Sequence, residues 1–353
     1  MRKTHACFDC GAHPARIAGG PGPRRSGRWC GGTTRRRDRA GDLRHRPRDR
    51  PRRLRLSPRW HGPPRAGARV AGTCAGSPAG QRFHPRRPGG RRGPPPGPGP
   101  CGACAHGYFD SCRNGQFTER GIKKRHGYGS EQWTVEAEYA VRLDPSLEEV
   151  GVLLEPASVV AKAWEQIEQI GERSWFVPQR LLVTGAGPIG LLAALLGMQR
   201  GLDVHVFDQV AHGVKPELVA GLDAAYHTGD LAAVAATVKP DVLIETTGVP
   251  RLVVDALTTT AVFGIVCLVG LSSEGASIPV DAGALNRTIV LGNHAFFGSV
   301  NANLHHYELA ARALSWADLS WLARMITRRL PLARATEAFH DSTGDEVKVV
   351  IDL

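Results

Sequence analysis

From residue 180 onward the chain alternates short apolar runs with stretches of helical spacing. Leu181–Val183 is an apolar run that leads into a glycine-rich turn, and Ile189–Arg200 continues apolar over several helical turns. Val204–Phe207, Val242–Ile244, Ile265–Val269 and Ile289–Gly292 read as further buried strands, with helices at Val214–Ala220 and Leu252–Leu257 between them. Strands that alternate with helices build a parallel sheet covered on both faces, so residues 178–300 are predicted to form a doubly wound α/β domain.

On either side the pattern weakens. Residues 101–177 are turn-rich, with short strands expected as in Trp133–Leu143, followed by a helix from Pro156 to about Ile170 that carries its proline in the first turn. Residues 301–353 predict a helix around Tyr307–Leu314 and a last strand Val347–Ile351, a segment expected to return to the 101–177 region. Residues 1–100 sustain neither a period of 2 nor one of 3.6. Runs such as Arg35-Arg36-Arg37 and Pro94-Pro95-Pro96 cannot build a core, so this segment is expected to be disordered.

Charge sharpens that division. The formal net charge of +12 would suggest a nucleic-acid partner if it were spread evenly, but residues 1–100 hold 25 Lys and Arg against 4 Asp, and the remainder is net acidic by 9. The same segment has no Glu, Asn or Tyr and a single Lys, and its aromatic residues are only Phe8, Phe83, Trp29 and Trp60, too few for base stacking. A nucleic-acid partner is therefore not expected. No apolar run reaches membrane-spanning length, and Met1–Ala15 lacks a signal-peptide core, so no membrane partner is expected and the cytoplasm is the expected compartment. Without a secretion signal, eight cysteines point to metal ligands or buried thiols.

The clearest chemistry lies in Gly185-Ala186-Gly187-Pro188-Ile189-Gly190, which follows an apolar strand and opens an apolar helix. In that context a G-x-G-x-x-G run predicts a dinucleotide-binding Rossmann fold: the first glycine makes the tight turn, the second admits the pyrophosphate, and the third lets helix and strand pack closely. Asp208 ends the second strand, where an acidic side chain accepts the ribose hydroxyls and disfavours a 2′-phosphate, so NAD is favoured over NADP and dual use stays open. Two later strand ends, Thr246-Thr247-Gly248 and Val269-Gly270-Leu271, either face the cofactor or form plain turns.

These residues resemble a known family. From Cys101 to Leu353 the chain is similar to the medium-chain zinc dehydrogenases, and within them to microbial glucose dehydrogenases. The resemblance is carried by Cys101-Gly-Ala-Cys104, Cys112-Arg-Asn-Gly, Glu119-Arg-Gly-Ile122, His126-Gly-Tyr-Gly129, Leu154-Glu155-Pro156, the glycine motif and Gly298-Ser299-Val300-Asn301. It implies a GroES-like catalytic domain beside the Rossmann domain, NAD or NADP and zinc as cofactors, and a homodimer or homotetramer. It also implies oxidation of a sugar hydroxyl, D-glucose to gluconolactone in the first place and another polyol or alcohol in the second. By the same resemblance Glu155 is the carboxylate at the catalytic zinc, directly or through water, and Glu119 and Asn301 contact the sugar or the nicotinamide end. Ser299, Val300 and Asn301 join the cofactor residues. The family's structural zinc needs four thiolates, and this sequence departs from that: Cys101, Cys104 and Cys112 supply only three, so three reduced thiols in a shortened lobe are the expected state, with a zinc that takes His106 as fourth donor as the alternative.

The family also needs a Cys and a His-Glu pair from the first hundred residues, and none can be read there; Cys7-x-x-Cys10 has no second pair nearby. An excess of Arg, Pro, Gly and Ala is what a GC-rich gene yields out of frame. Leu43–Arg50 can be encoded so that dropping one base gives Cys-Gly-Thr-Asp-Arg-Glu-Ile, and Arg65–Val70 then gives Val-Leu-Gly-His-Glu. Arg87–Arg92 gives Asp-Leu-Val-Val-Gly, so family motifs and a barrel strand recur in one shifted frame and in order. Residues before about Cys101 are therefore expected to be an out-of-frame reading of the catalytic domain, leaving a chain that holds catalytic zinc poorly. A cofactor-binding protein without catalysis, or a nucleic-acid binder acting through the arginine-rich arm, are the alternatives from other classes.

Overall fold

The computed structural model describes residues 5–6, 101–129, 132–275, 277–339 and 344–353. Apart from His5–Ala6, the first hundred residues lie outside that set, and with them the expectations of disorder and of an altered frame. Described in chain order are β1 (His5–Ala6), α1 (Gly102–Ala105), β2 (Glu119–Arg120), β3 (Lys124–Arg125), α2 (Leu154–Gly171), β4 (Arg180–Thr184), α3 (Pro188–Met198), β5 (Asp203–Phe207) and α4 (Val214–Ala220). They are followed by β6 (Ala225–His227), α5 (Leu231–Val238), β7 (Val242–Glu245), α6 (Pro250–Ala256), β8 (Ile265–Leu268), α7 (Ala282–Gly292) and β9 (Ala295–Gly298). The chain ends with α8 (Leu304–Ser315), α9 (Leu319–Arg324), β10 (Ile326–Pro331) and β11 (Lys348–Asp352).

Six strands form one sheet in the order β6-β5-β4-β7-β8-β9, every neighbouring pair parallel. Alternate residues on each strand feed opposite faces. Leu181, Val183, Val204, Val206, Val242, Ile244, Ile265 and Cys267 pack with the apolar residues of α2, α3, α4 and α8, whereas Leu182, Phe207, Leu243 and Val266 pack with α5 and α6. The doubly wound sheet predicted from the sequence is thus present. Strand order reverses at β4, which opens a crevice at the carboxyl ends of the strands.

Two expectations are corrected. Ile289–Gly292 is not a strand: it closes α7, whose start is capped by the Asp281 carboxylate accepting the Ala284 N–H and whose end is turned by Asn293 in the left-handed region (φ 52°). Caps at both ends outweigh the β-branched run, and the sixth strand comes later, where Ala295 pairs with Ile265. Trp133–Leu143 carries a single turn of 3-10 helix at Ala137–Tyr139 and an isolated bridge at Arg142 rather than short strands. A strand needs a continuous ladder, and apart from that single bridge no ladder forms along this stretch among the described residues.

Two elements matter for the site. α2 lies against α3 and α8, with Trp164 only 1% exposed and its indole N–H donating to the Ala193 carbonyl (3.4 Å). The end of the chain forms a separate three-stranded sheet, in which β11 pairs in parallel with β10 and antiparallel with β1.

Candidate cofactor and substrate site

The glycine turn sits where strand order reverses. Gly185 has a φ of 94°, and a Cβ there would lie 2.7 Å from Thr246 Oγ1. A Cβ on Gly190 would come within 1.8 Å of the Gly185 carbonyl, so strand and helix pack with no room between them. Gly187 differs: no described residue lies within 4 Å of its missing Cβ, so among the described residues the turn is open on the side where α3 begins. Pro188 is the first residue of that helix, and Ile189 and Gly190 bring their N–H groups into its first turn.

Asp208 lies just past β5. Its Oδ2 accepts the Ala186 N–H (2.7 Å), its Oδ1 accepts the Val210 N–H (3.0 Å), and the Lys215 ammonium stands 3.8 Å away. The carboxylate is therefore held against the glycine turn, partly buried, with a cation beside it.

The opposite half of the crevice is built on a residue that sequence reasoning missed. Glu245, fully buried at the end of β7, accepts the N–H groups of Thr247 (2.8 Å) and Gly248 (3.2 Å) and the hydroxyl of Thr184 (3.3 Å). The Thr247 hydroxyl donates to the same carboxylate. The Glu245 carbonyl takes the N–H groups of Val269 (2.8 Å) and Gly270 (3.0 Å), which joins the ends of β7 and β8. Leu271 is exposed beyond them. After β9, the Ser299 hydroxyl is buried with no hydrogen-bond partner among the described residues, while Val300 is exposed. An open cradle at Gly187, an anchored carboxylate at Asp208 and an unpartnered buried hydroxyl at Ser299, along one rim of the sheet, fit a dinucleotide.

A second group gathers where α8 starts. Asn301 adopts a left-handed backbone (φ 64°), and its amide donates to Glu119 Oε1 (3.1 Å). Tyr307 lies within electrostatic reach of both carboxylates: burial, then the negative charges of Glu155 and Glu119, push its phenol up to about 12 against an opposing hydrogen bond with Ser158. Glu155 is exposed in the first turn of α2. The structure therefore joins Asn301 to Glu119 and places Tyr307 within electrostatic reach of both Glu119 and Glu155; the local pattern around Tyr307 signals only a helix.

Cys101, Cys104 and Cys112 have Sγ atoms all within 4.8 Å of one another. The Arg113 N–H lowers the Cys101 thiol to about 6, and burial pushes Cys104 up to about 12. His106 stands outside this group, its Nδ1 directed at the Gly102 carbonyl (2.7 Å), so it is not the expected fourth donor. Three thiols suit a thiophilic metal and leave one of its four positions to another donor.

The family described as glucose dehydrogenase C-terminus matches residues 148–353. Glucose 1-dehydrogenase of Methanocella arvoryzae is 37% identical over 264 residues, covering 72% of this chain and 73% of that protein. The chain belongs to the glucose dehydrogenase family. Glucose 1-dehydrogenase of Thermoproteus tenax is 35% identical over 251 residues, covering 69% of this chain and 71% of that one. Among solved structures, this family member is similar to Haloferax mediterranei glucose dehydrogenase in complex with NADP, Zn and gluconolactone. The TM-score is 0.67 with 29% identity, and 74% of each chain is covered. No described helix of this glucose dehydrogenase homologue is long and apolar enough to cross a membrane.

Proposed function

We propose that this chain is a cytoplasmic, zinc-family, NAD(P)-dependent oxidoreductase built to act on a sugar hydroxyl, D-glucose to gluconolactone. The observation that carries the reading is the glycine turn at the strand-order reversal with Asp208 held against it. The pyrophosphate lies over Gly187 and the first turn of α3, the ribose hydroxyls are accepted by Asp208, and the nicotinamide extends over the ends of β7, β8 and β9 towards Ser299 and Asn301. Glu119 and Asn301 orient the sugar, and Glu155 is the carboxylate available to a catalytic zinc. The other zinc donors implied by the family, a Cys and a His-Glu pair, cannot be read in the first hundred residues. Bound there, zinc supplies Lewis-acid polarisation of the reacting hydroxyl. Cys101, Cys104 and Cys112 are the donors available to a structural zinc.

Asp208 favours NAD, and Lys215 beside it favours a 2′-phosphate, so NADP is kept as a second reading. Fluorescence titration with NADH and NADPH tests both at once: binding of neither defeats the dinucleotide reading. The assembly proposed is a dimer of this chain. β9 is one of the two edge strands of the sheet, unpaired on its outer side among the described residues, and α7 next to it exposes Val290 and Leu291 on a groove lined by Gly283, Ala284, Asn286 and Arg287. A second copy covers such a face with the same face of its own. A monomer by sedimentation at micromolar concentration contradicts it.

A further inference from the structure

We propose that Lys162 is a positioning residue for the nicotinamide half of the cofactor, because its ammonium fixes the loop that carries Ser299, Val300 and Asn301. The inference rests on the dinucleotide reading above.

Lys162 lies on α2, in a run of buried residues, and is itself only 5% exposed. Its Nζ donates to the Val300 carbonyl (2.9 Å) and pairs with Asp110 Oδ2 (2.6 Å), a carboxylate whose side chain is 1% exposed. The other oxygen of Asp110 accepts the Asn303 amide (3.0 Å). Asn303 caps α8, its own side-chain oxygen taking the N–H groups of His305 and His306. One buried ion pair thus grips the loop at residue 300 and again at residue 303. Between the two grips stands Asn301, whose left-handed backbone turns its amide to Glu119.

Position along the sheet rim gives this clamp its meaning. Asp208 and the glycine turn belong to the ends of β5 and β4, so a dinucleotide bound there runs its other half over β7, β8 and β9. The clamped loop follows β9 directly. Burying an ammonium and a carboxylate together gives little net stability over well-packed apolar side chains, which would fill the same space between helices. The pair does what apolar residues cannot: it hydrogen-bonds a backbone carbonyl and a helix cap at once.

The test uses the full chain and two ligands, NADH and ADP-ribose, the second lacking the nicotinamide. Lys162→Met alone strands the buried Asp110 charge, so it is made together with Asp110→Asn, which still accepts from Asn303. The expected result is a double variant whose NADH affinity falls by about tenfold, the scale on which one hydrogen bond to a charged group acts, with ADP-ribose affinity unchanged. Unchanged affinity for both ligands, or an equal loss for both, overturns the positioning role. Failure of the unsubstituted chain to bind ADP-ribose overturns the dinucleotide reading, and the proposal with it.

Discussion

Gly187 and Gly190 stand three residues apart in one turn, yet their missing side chains face opposite surroundings. A methyl at 190 collides with the Gly185 carbonyl, whereas a methyl at 187 enters open space. Gly190→Ala is therefore expected to cost at least about 2 kcal/mol in urea unfolding, because backbone must move to admit it. Gly187→Ala leaves the unfolding midpoint unchanged and weakens NADH by tenfold or more, roughly, since the new methyl occupies space the pyrophosphate needs; equal NADH affinity in the variant would count against the site. Three histidines set a pH dependence. Burial lowers His227, with the neighbouring His205 adding to it; burial and Arg173 lower His294; burial outweighs Glu165 and Asp110 at His306, with Lys162 reinforcing it. Each folded value lies below the ordinary 6.5, so the fold favours the neutral rings. Their contribution is complete above about pH 6.5 and is lost as the pH falls below it. Melting curves at pH 7.5 and 5.5 should show a lower midpoint at the acid value.

At the scale of elements, the periodic segments were legible because their information is local. α4 spans Val214–Ala220 as the pattern predicts, and β4, β5, β7 and β8 agree within a residue or so. The apolar run at 289–291 misled for a physical reason: strand and helix assignments both require burial of such a run, and here Val290 and Leu291 are exposed on α7. The weak strand β6 and helix α5 were not read from the pattern at all, since β6 has only three residues and α5 is apolar on most sides. α2 is the element on which the site depends, because it carries Glu155 at one end and Lys162 two turns on. Trp164→Ala empties the centre of its packing against α3 and α8 and is expected to cost about 3–5 kcal/mol in chemical denaturation. A loss below about 1 kcal/mol would mean that α2 is not anchored there.

For the whole molecule, the cofactor half and the metal half lead to different expectations. The purified chain should bind NADH or NADPH yet oxidise glucose weakly with either nucleotide, because the Cys and His-Glu donors implied by the family are not in its sequence. Robust turnover with stoichiometric zinc would refute this. A gene read across codons 1–101 that confirms the present frame in several isolates would refute the altered frame. The sequence by itself determined the doubly wound sheet, the glycine turn, Asp208 and the family, because apolar periodicity and turn chemistry act between near neighbours along the chain. Only the tertiary structure decided which distant groups meet. Lys162 reaches Val300 across 138 positions and Asp110 reaches Asn303 across 193, and Glu245 gathers donors from two strand ends. One signal was available, a lysine on the apolar stripe of α2, but its partners were fixed by the packing of helices and loops, which no local pattern records.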